Sequence, residues 1–132
     1  MSETLAIIVE REMPYPADKI WRALTQPQLI EDWLMKNDFK PTPGHRFSMQ
    51  ADWGGVTCQV RTIEPHKTLS YSWDTKDLRS VVTWTLTATD AGTIVRMEQV
   101  GFQPHQQSYY RGPTVAWPRF IDALQQIAAR AG

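Results

Sequence analysis

Residues Thr4 to Met13 alternate, with Leu5, Ile7, Val9 and Met13 on one parity and Glu10 and Glu12 on the other. A period of two predicts a half-buried strand, and Pro14, Tyr15 and Pro16 close it. The period then changes. Ala17, Ile20, Trp21 and Leu24 fall on one face of a 3.6-residue repeat, which predicts a helix with Pro16 at its start and Asp18 in its favourable first turn. Pro27 breaks that helix, and Gln28 to Trp33 forms a second short one with Leu29, Ile30 and Trp33 turned inward. Lys36 to Gly44 is polar with two prolines and reads as a loop.

A meander of alternating segments follows. Phe47, Met49, Ala51 and Trp53 share a face, Gly54-Gly55 makes a tight turn, and Val56, Cys58 and Val60 continue on the next strand. Leu69, Tyr71 and Trp73 alternate after the Glu64-to-Lys67 turn, and Val82, Trp84 and Leu86 alternate after the Asp74-to-Asp77 turn. Beyond Asp90-Ala91-Gly92, Val95, Met97 and Gln99 alternate with Arg96 and Glu98. Short turns between consecutive strands imply antiparallel pairing. From about Pro113 to Ala129, Trp117, Phe120, Ile121, Leu124, Ile127 and Ala128 form a wide helical stripe. Pro118 predicts either a kink or a helix start near Trp117. The expected architecture is α+β: a six-stranded antiparallel sheet, two short helices after the first strand, and a long C-terminal helix covering the apolar face.

The chain has 132 residues, enough for one core and too few for two ordinary domains, so a single domain over 1–132 is expected. Lys plus Arg and Asp plus Glu both number 14. The cations are dispersed, which argues against a nucleic-acid footprint. One cysteine excludes an intrachain disulfide and a cysteine-based zinc site. No apolar stretch approaches the span of a bilayer, and the first residues lack the pattern of a signal peptide, so the sequence reads as cytoplasmic. Six tryptophans stand beside four tyrosines and four phenylalanines.

Several motifs in order carry a family resemblance. Pro16 to Thr25 followed by Leu29 and Trp33 resembles "AP-x-x-x-V-W-x-A-L-T-x-P-x-x-L-x-x-W". Pro43-Gly44 with Phe47 and Met49 resembles "P-G-G-x-x-x-F-x-M", and Ile63-Glu64-Pro65 with Leu69 resembles "E-I-x-P-x-x-x-L". Gly92-Thr93, Val95, Met97, Gln99 and Gly101-Phe102 resemble "G-T-x-V-x-L-x-Q-x-G-F", and Ala116-Trp117 with Leu124 resembles "G-W-x(6)-L". Together these resemble the helix-grip fold of the START, polyketide-cyclase and birch-pollen-allergen superfamily. The branch is similar to the C-terminal domain of the activator of the ninety-kDa heat-shock protein ATPase. The resemblance implies a curved sheet wrapped around the last helix with a cavity between them. Ala116 in place of glycine, Pro118 and the short Lys36-to-Pro43 loop depart from the pattern at the cavity mouth.

Fold does not fix function, so the chemistry is sought directly. His45, His66 and His105 lie in turns or strand ends without metal-ligand spacing. Cys58 sits on an apolar parity, as an inert buried thiol would. Glu10, Glu12, Asp52 and Glu98 fall at outward parity, which disfavours acid–base catalysis inside the sheet unless a bulge reverses the parity. The inward set is aromatic and soft instead. From the sheet come Phe47, Met49, Trp53, Tyr71, Trp73, Trp84 and Met97, with Gln99 as a polar anchor; Trp33, Trp117 and Phe120 come from helices, and Tyr109 and Tyr110 stand before the last helix as entrance candidates. Such a lining suits a small apolar or aromatic molecule bound without turnover, with no cofactor or metal. A chaperone-like interaction module, as the family suggests, and a cyclase- or hydrolase-like enzyme are the alternatives.

Overall fold

The computed structural model describes residues 5–51, 54–75, 78–102 and 107–130. Strand β1 (Leu5–Met13) leads into helices α1 (Ala17–Thr25) and α2 (Pro27–Trp33). Strands β2 (Lys36–Asn37), β3 (Arg46–Ala51), β4 (Gly54–Glu64), β5 (Thr68–Asp74), β6 (Arg79–Ala88) and β7 (Thr93–Phe102) follow, then helix α3 (Gln107–Arg130). One antiparallel, open and curved sheet has the order β1-β7-β6-β5-β4-β3-β2. The first strand therefore closes against the last, and α1 and α2 carry the chain between the two sheet edges.

Pro16 caps α1 with extended backbone, and Arg22 pairs with Asp18 one turn away at 3.1 Å. The Trp33 indole N–H donates to the Ala23 carbonyl at 2.7 Å, which ties α2 back onto α1. Ile20, Ala23, Leu24 and Ile30 are buried under the pair. Helix α3 makes its main backbone approaches to α1, α2, β1 and β7. Arg11 on β1 bonds Asp122 and Gln125 of α3, and fixes the helix above that side of the sheet.

Three expectations need correction. The sheet has seven strands, because Lys36 and Asn37 pair with Gln50 and Met49 inside the segment expected to be a loop. Two residues are too few to show a period. Asn37 holds the segment by bonding the Pro27 and Met35 carbonyls and the Phe39 N–H, and Met35 and Phe39 are buried beside it. Helix α3 begins at Gln107 rather than near Pro113 or Trp117, and runs through both Pro113 and Pro118. Each proline removes one N–H from the helix ladder, but the buried Trp117, Ile121, Leu124 and Ala128 keep the helix on the sheet.

The third correction concerns the Gly54-Gly55 turn: both glycines belong to β4, paired with Ala51 and Gln50. Parity also changes near the strand ends. The β1–β7 register shifts between Leu5 and Ala6, leaving Gly101 as an extra residue at φ 125°. Phe102 thereby turns inward and is fully buried, although its even number places it opposite Val95, Met97 and Gln99 in the simple alternation. A similar shift between Val60 and Thr62 turns Ile63 toward the core after Val60.

Candidate functional site

The concave face of the sheet collects the aromatic side chains in two groups. Trp117 of α3 is at the centre of the first. Its ring lies 5.8 Å from Trp84, 5.4 Å from Trp73 and 5.6 Å from Phe120, all edge-on or tilted. Trp33 also meets Trp84, at 5.6 Å and 88°. The second group is Phe39, Phe47 and Tyr71, with Phe47 at 5.1 Å from Phe39 and 5.5 Å from Tyr71. Edge-to-face contacts suit the ring quadrupole and add to the area buried. One hydrogen bond joins the groups: Trp84 Nε1–H donates to the Tyr71 hydroxyl at 3.0 Å.

Strand pairing explains these meetings. Trp84 opposes Met97 on one side and Leu69 on the other, while Tyr71, Val82 and Gln99 form a cross-strand row over β5, β6 and β7. Side chains directly opposite or diagonal on one face are near enough to pack. α3 lies nearest β1 and β7, so the wider interval toward β5 and β6 is spanned by indoles.

Gln99 points inward and is 1 % exposed. Its carbonyl oxygen accepts from Trp117 Nε1–H at 2.7 Å, and its amide donates to Ser80 Oγ at 3.0 Å. Ser80 Oγ–H in turn donates to the Trp73 carbonyl at 2.6 Å. This relay runs from helix to sheet and leaves no buried polar side-chain atom without a partner among the described residues. Ser80 was missing from the sequence reading, though it shares the parity of Val82 and Trp84 and so carried a usable signal.

The titratable groups here are neutral ones. Burial first, then the charges of Asp74 and Asp38, push the Cys58 thiol up to about 12. Burial also holds the Tyr71 phenol well above its ordinary value, against the lowering effect of the Trp84 hydrogen bond. Glu10 and Glu12 are exposed, and Glu98 pairs with Arg96 at 3.3 Å on the convex face. His45 stacks on Phe47 and reaches the Asp38 carbonyl at 3.2 Å, while His66 meets the Trp21 ring edge. Among the described residues no group of three potential metal ligands is found.

Of the sequence-predicted lining residues, Trp33, Phe47, Met49, Tyr71, Trp73, Trp84, Met97, Gln99 and Trp117 are buried, and Phe120 is half-buried. Trp53 lies outside the described residues, as do the side chains of Tyr109 and Tyr110. Phe39, Phe102 and Leu78 are buried residues that the alternation missed. A separate open cleft of about 510 Å³ lies between Arg11, Tyr15, Asp122 and Arg130, away from the aromatic interior. No described helix is long and apolar enough to cross a membrane.

The arrangement has close structural counterparts. The crystal structure of MLL2253 from Mesorhizobium loti is 52 % identical, covers 97 % of this chain and 99 % of its own, and superposes with a TM-score of 0.93. BH1534 of Bacillus halodurans is 27 % identical over 97 % of this chain and 99 % of its own, with a TM-score of 0.86. The Aha1 dimer of Colwellia psychrerythraea shares the fold at 17 % identity, with 92 % and 93 % of the two chains covered and a TM-score of 0.83. No curated protein matches the sequence. The family model described as activator of Hsp90 ATPase homolog 1-like protein matches residues 14–129, from the end of β1 through nearly all of α3. With that span matched and the same fold in its relatives, the chain belongs to the activator of Hsp90 ATPase homolog 1-like protein family.

Proposed function

We propose that the protein binds a small apolar or aromatic molecule between the aromatic wall of β3 to β6 and helix α3, and releases it unchanged. One observation carries this reading. The interval between sheet and helix is bridged by Trp73, Trp84, Trp117 and Phe120, with Gln99 and Tyr71 as its polar anchors and no ionised side chain among the buried described residues. Apolar walls with one or two fixed polar groups bind by dispersion and desolvation. Turnover needs a nucleophile or a proton donor of matched pKa, whereas Cys58 and Tyr71 are both held in their neutral forms.

A titration with the neutral dye N-phenyl-1-naphthylamine tests the reading. Saturable dye emission with matching quenching of tryptophan fluorescence supports it; emission that rises linearly without saturating contradicts it.

A second reading, a protein-docking module, draws on the family description and on Ile8, which is 53 % exposed on edge strand β1. Exposed apolar side chains on an edge strand favour strand addition by a partner. Co-precipitation with the ninety-kDa chaperone, lost in Ile8→Lys, is its expected signature.

A further inference from the structure

The interior has hydrogen-bond donors to spare. Tyr71 is 4 % exposed, and its hydroxyl oxygen is occupied by the Trp84 N–H. Its own proton has no acceptor among the described residues. A neutral phenol is both donor and acceptor, so half of its capacity is unused. Gln99 is in a similar position: one amide hydrogen goes to Ser80, and the second has no acceptor among the described residues. The two groups lie on one cross-strand row with only Val82 between them. Three other buried hydroxyls are committed, Thr25 to the Trp21 carbonyl, Thr93 to the Tyr15 carbonyl and Ser80 to the Trp73 carbonyl, while Ser70 is set one residue out of the inward parity of Leu69 and Tyr71.

We infer that the ligand of this interior is neutral and carries an acceptor oxygen, of the ketone or quinone class, that takes the Tyr71 hydroxyl proton. This inference rests on the proposed pocket and adds to it the chemistry that the pocket selects. A carboxylate would bring a charge into an interior whose buried described residues include no Lys or Arg to pair with it, and unpaired buried charge is strongly disfavoured. An amine would bring donors where donors are already in surplus. A carbonyl leaves the protein's existing hydrogen bonds intact and uses the spare proton. Burial keeps the Tyr71 phenol protonated through and beyond the physiological range, so the donor is present at all working pH values.

Three 2-substituted naphthalenes test this by displacement of N-phenyl-1-naphthylamine: 2-acetylnaphthalene, 2-ethylnaphthalene and 2-naphthoate. A hydrogen bond that satisfies a buried donor predicts that the acetyl compound binds about tenfold more tightly than the ethyl compound. The naphthoate should bind more weakly than either. In Tyr71→Phe the acetyl and ethyl compounds should bind within about twofold of each other, because the discriminating proton is gone. A second measurement is independent of the variant's folding. The carbonyl stretch of 2-acetylnaphthalene bound to the parent should lie at lower wavenumber than in cyclohexane. Equal binding of the acetyl and ethyl compounds, a difference that survives in folded Tyr71→Phe, or a carbonyl stretch at its cyclohexane position would overturn the inference while leaving the pocket in place. Failure of the dye and all three compounds to bind would overturn the pocket and the inference together.

Discussion

Trp117 and Gln99 form the one side-chain hydrogen bond described here between α3 and the concave face of β7, with the indole Nε1–H donating to the amide oxygen at 2.7 Å. Both residues are about 1 % exposed. The bond fixes the rotation of the helix, because a turn of the helix would aim the indole elsewhere. It also orients the Gln99 amide so that its nitrogen meets Ser80.

Trp117→Ala should therefore lose both packing and polar partner, at a cost of about 3–5 kcal/mol. Trp117→Phe keeps most of the apolar volume but leaves the Gln99 oxygen without its donor, at about 1–3 kcal/mol. Adding Gln99→Leu to Trp117→Phe should recover part of that loss, since the stranded amide oxygen is then gone while Ser80 keeps its bond to the Trp73 carbonyl. Urea midpoints for Trp117→Ala, Trp117→Phe, Gln99→Leu and the double variant measure this. Strict additivity of the two substitutions would show that the residues are not coupled.

Cys58 gives a prediction in pH. Its folded-state pKa is raised from 9.0 to about 12, so the folded state holds the proton more tightly than the unfolded chain does. The stability it contributes is fully present below pH 9 and is lost progressively as pH rises from 9.0 toward 12. Tyr71 adds to the same alkaline loss because its pKa is raised too. Cys58→Val should flatten, without abolishing, the fall of urea stability above pH 9. An unchanged slope in that variant would remove Cys58 from the account. Alkylation by iodoacetamide should be slow in the folded protein and rapid in urea.

Gly101 is the hinge of the parity change in β7. A Cβ there would meet the Arg79 backbone, and its φ of 125° is rarely adopted by L side chains. Gly101→Ala should cost about 1–3 kcal/mol through backbone strain alone, and should disturb the burial of Phe102. Near-ultraviolet circular dichroism and thermal melting check this. A melt identical to the parent's would mean that the bulge relaxes without penalty.

Half-buried elements were legible in the sequence for a physical reason. In β6 and β7 one face is wet and the other dry, so Val82, Trp84, Leu86, Val95, Met97 and Gln99 stand out against their neighbours. The same logic found α1 and the stripe of α3. It failed wherever periodicity had no length or was interrupted. β2 is two residues long, Phe102 follows a bulge, and the first turns of α3 precede Pro113, a usual helix-start signal. The candidate site was legible only as an inward set. Parity separates Trp73 and Trp84 from the solvent face, yet a core residue and a pocket wall share that parity. The Trp117–Gln99–Ser80 relay needed the fold, because its members come from α3, β7 and β6.

Where a bound ligand sits decides between pocket and core. With methyl-labelled methionine, the resonances of Met49 on β3 and Met97 on β7, both buried on the concave face, can be followed as 2-acetylnaphthalene is added. Binding in the aromatic interior should give saturable shifts of both methyls together with intermolecular contacts to the naphthalene protons. If both methyls keep their positions at ligand concentrations that saturate the dye-displacement signal, the ligand binds elsewhere and the aromatic interior is core rather than pocket.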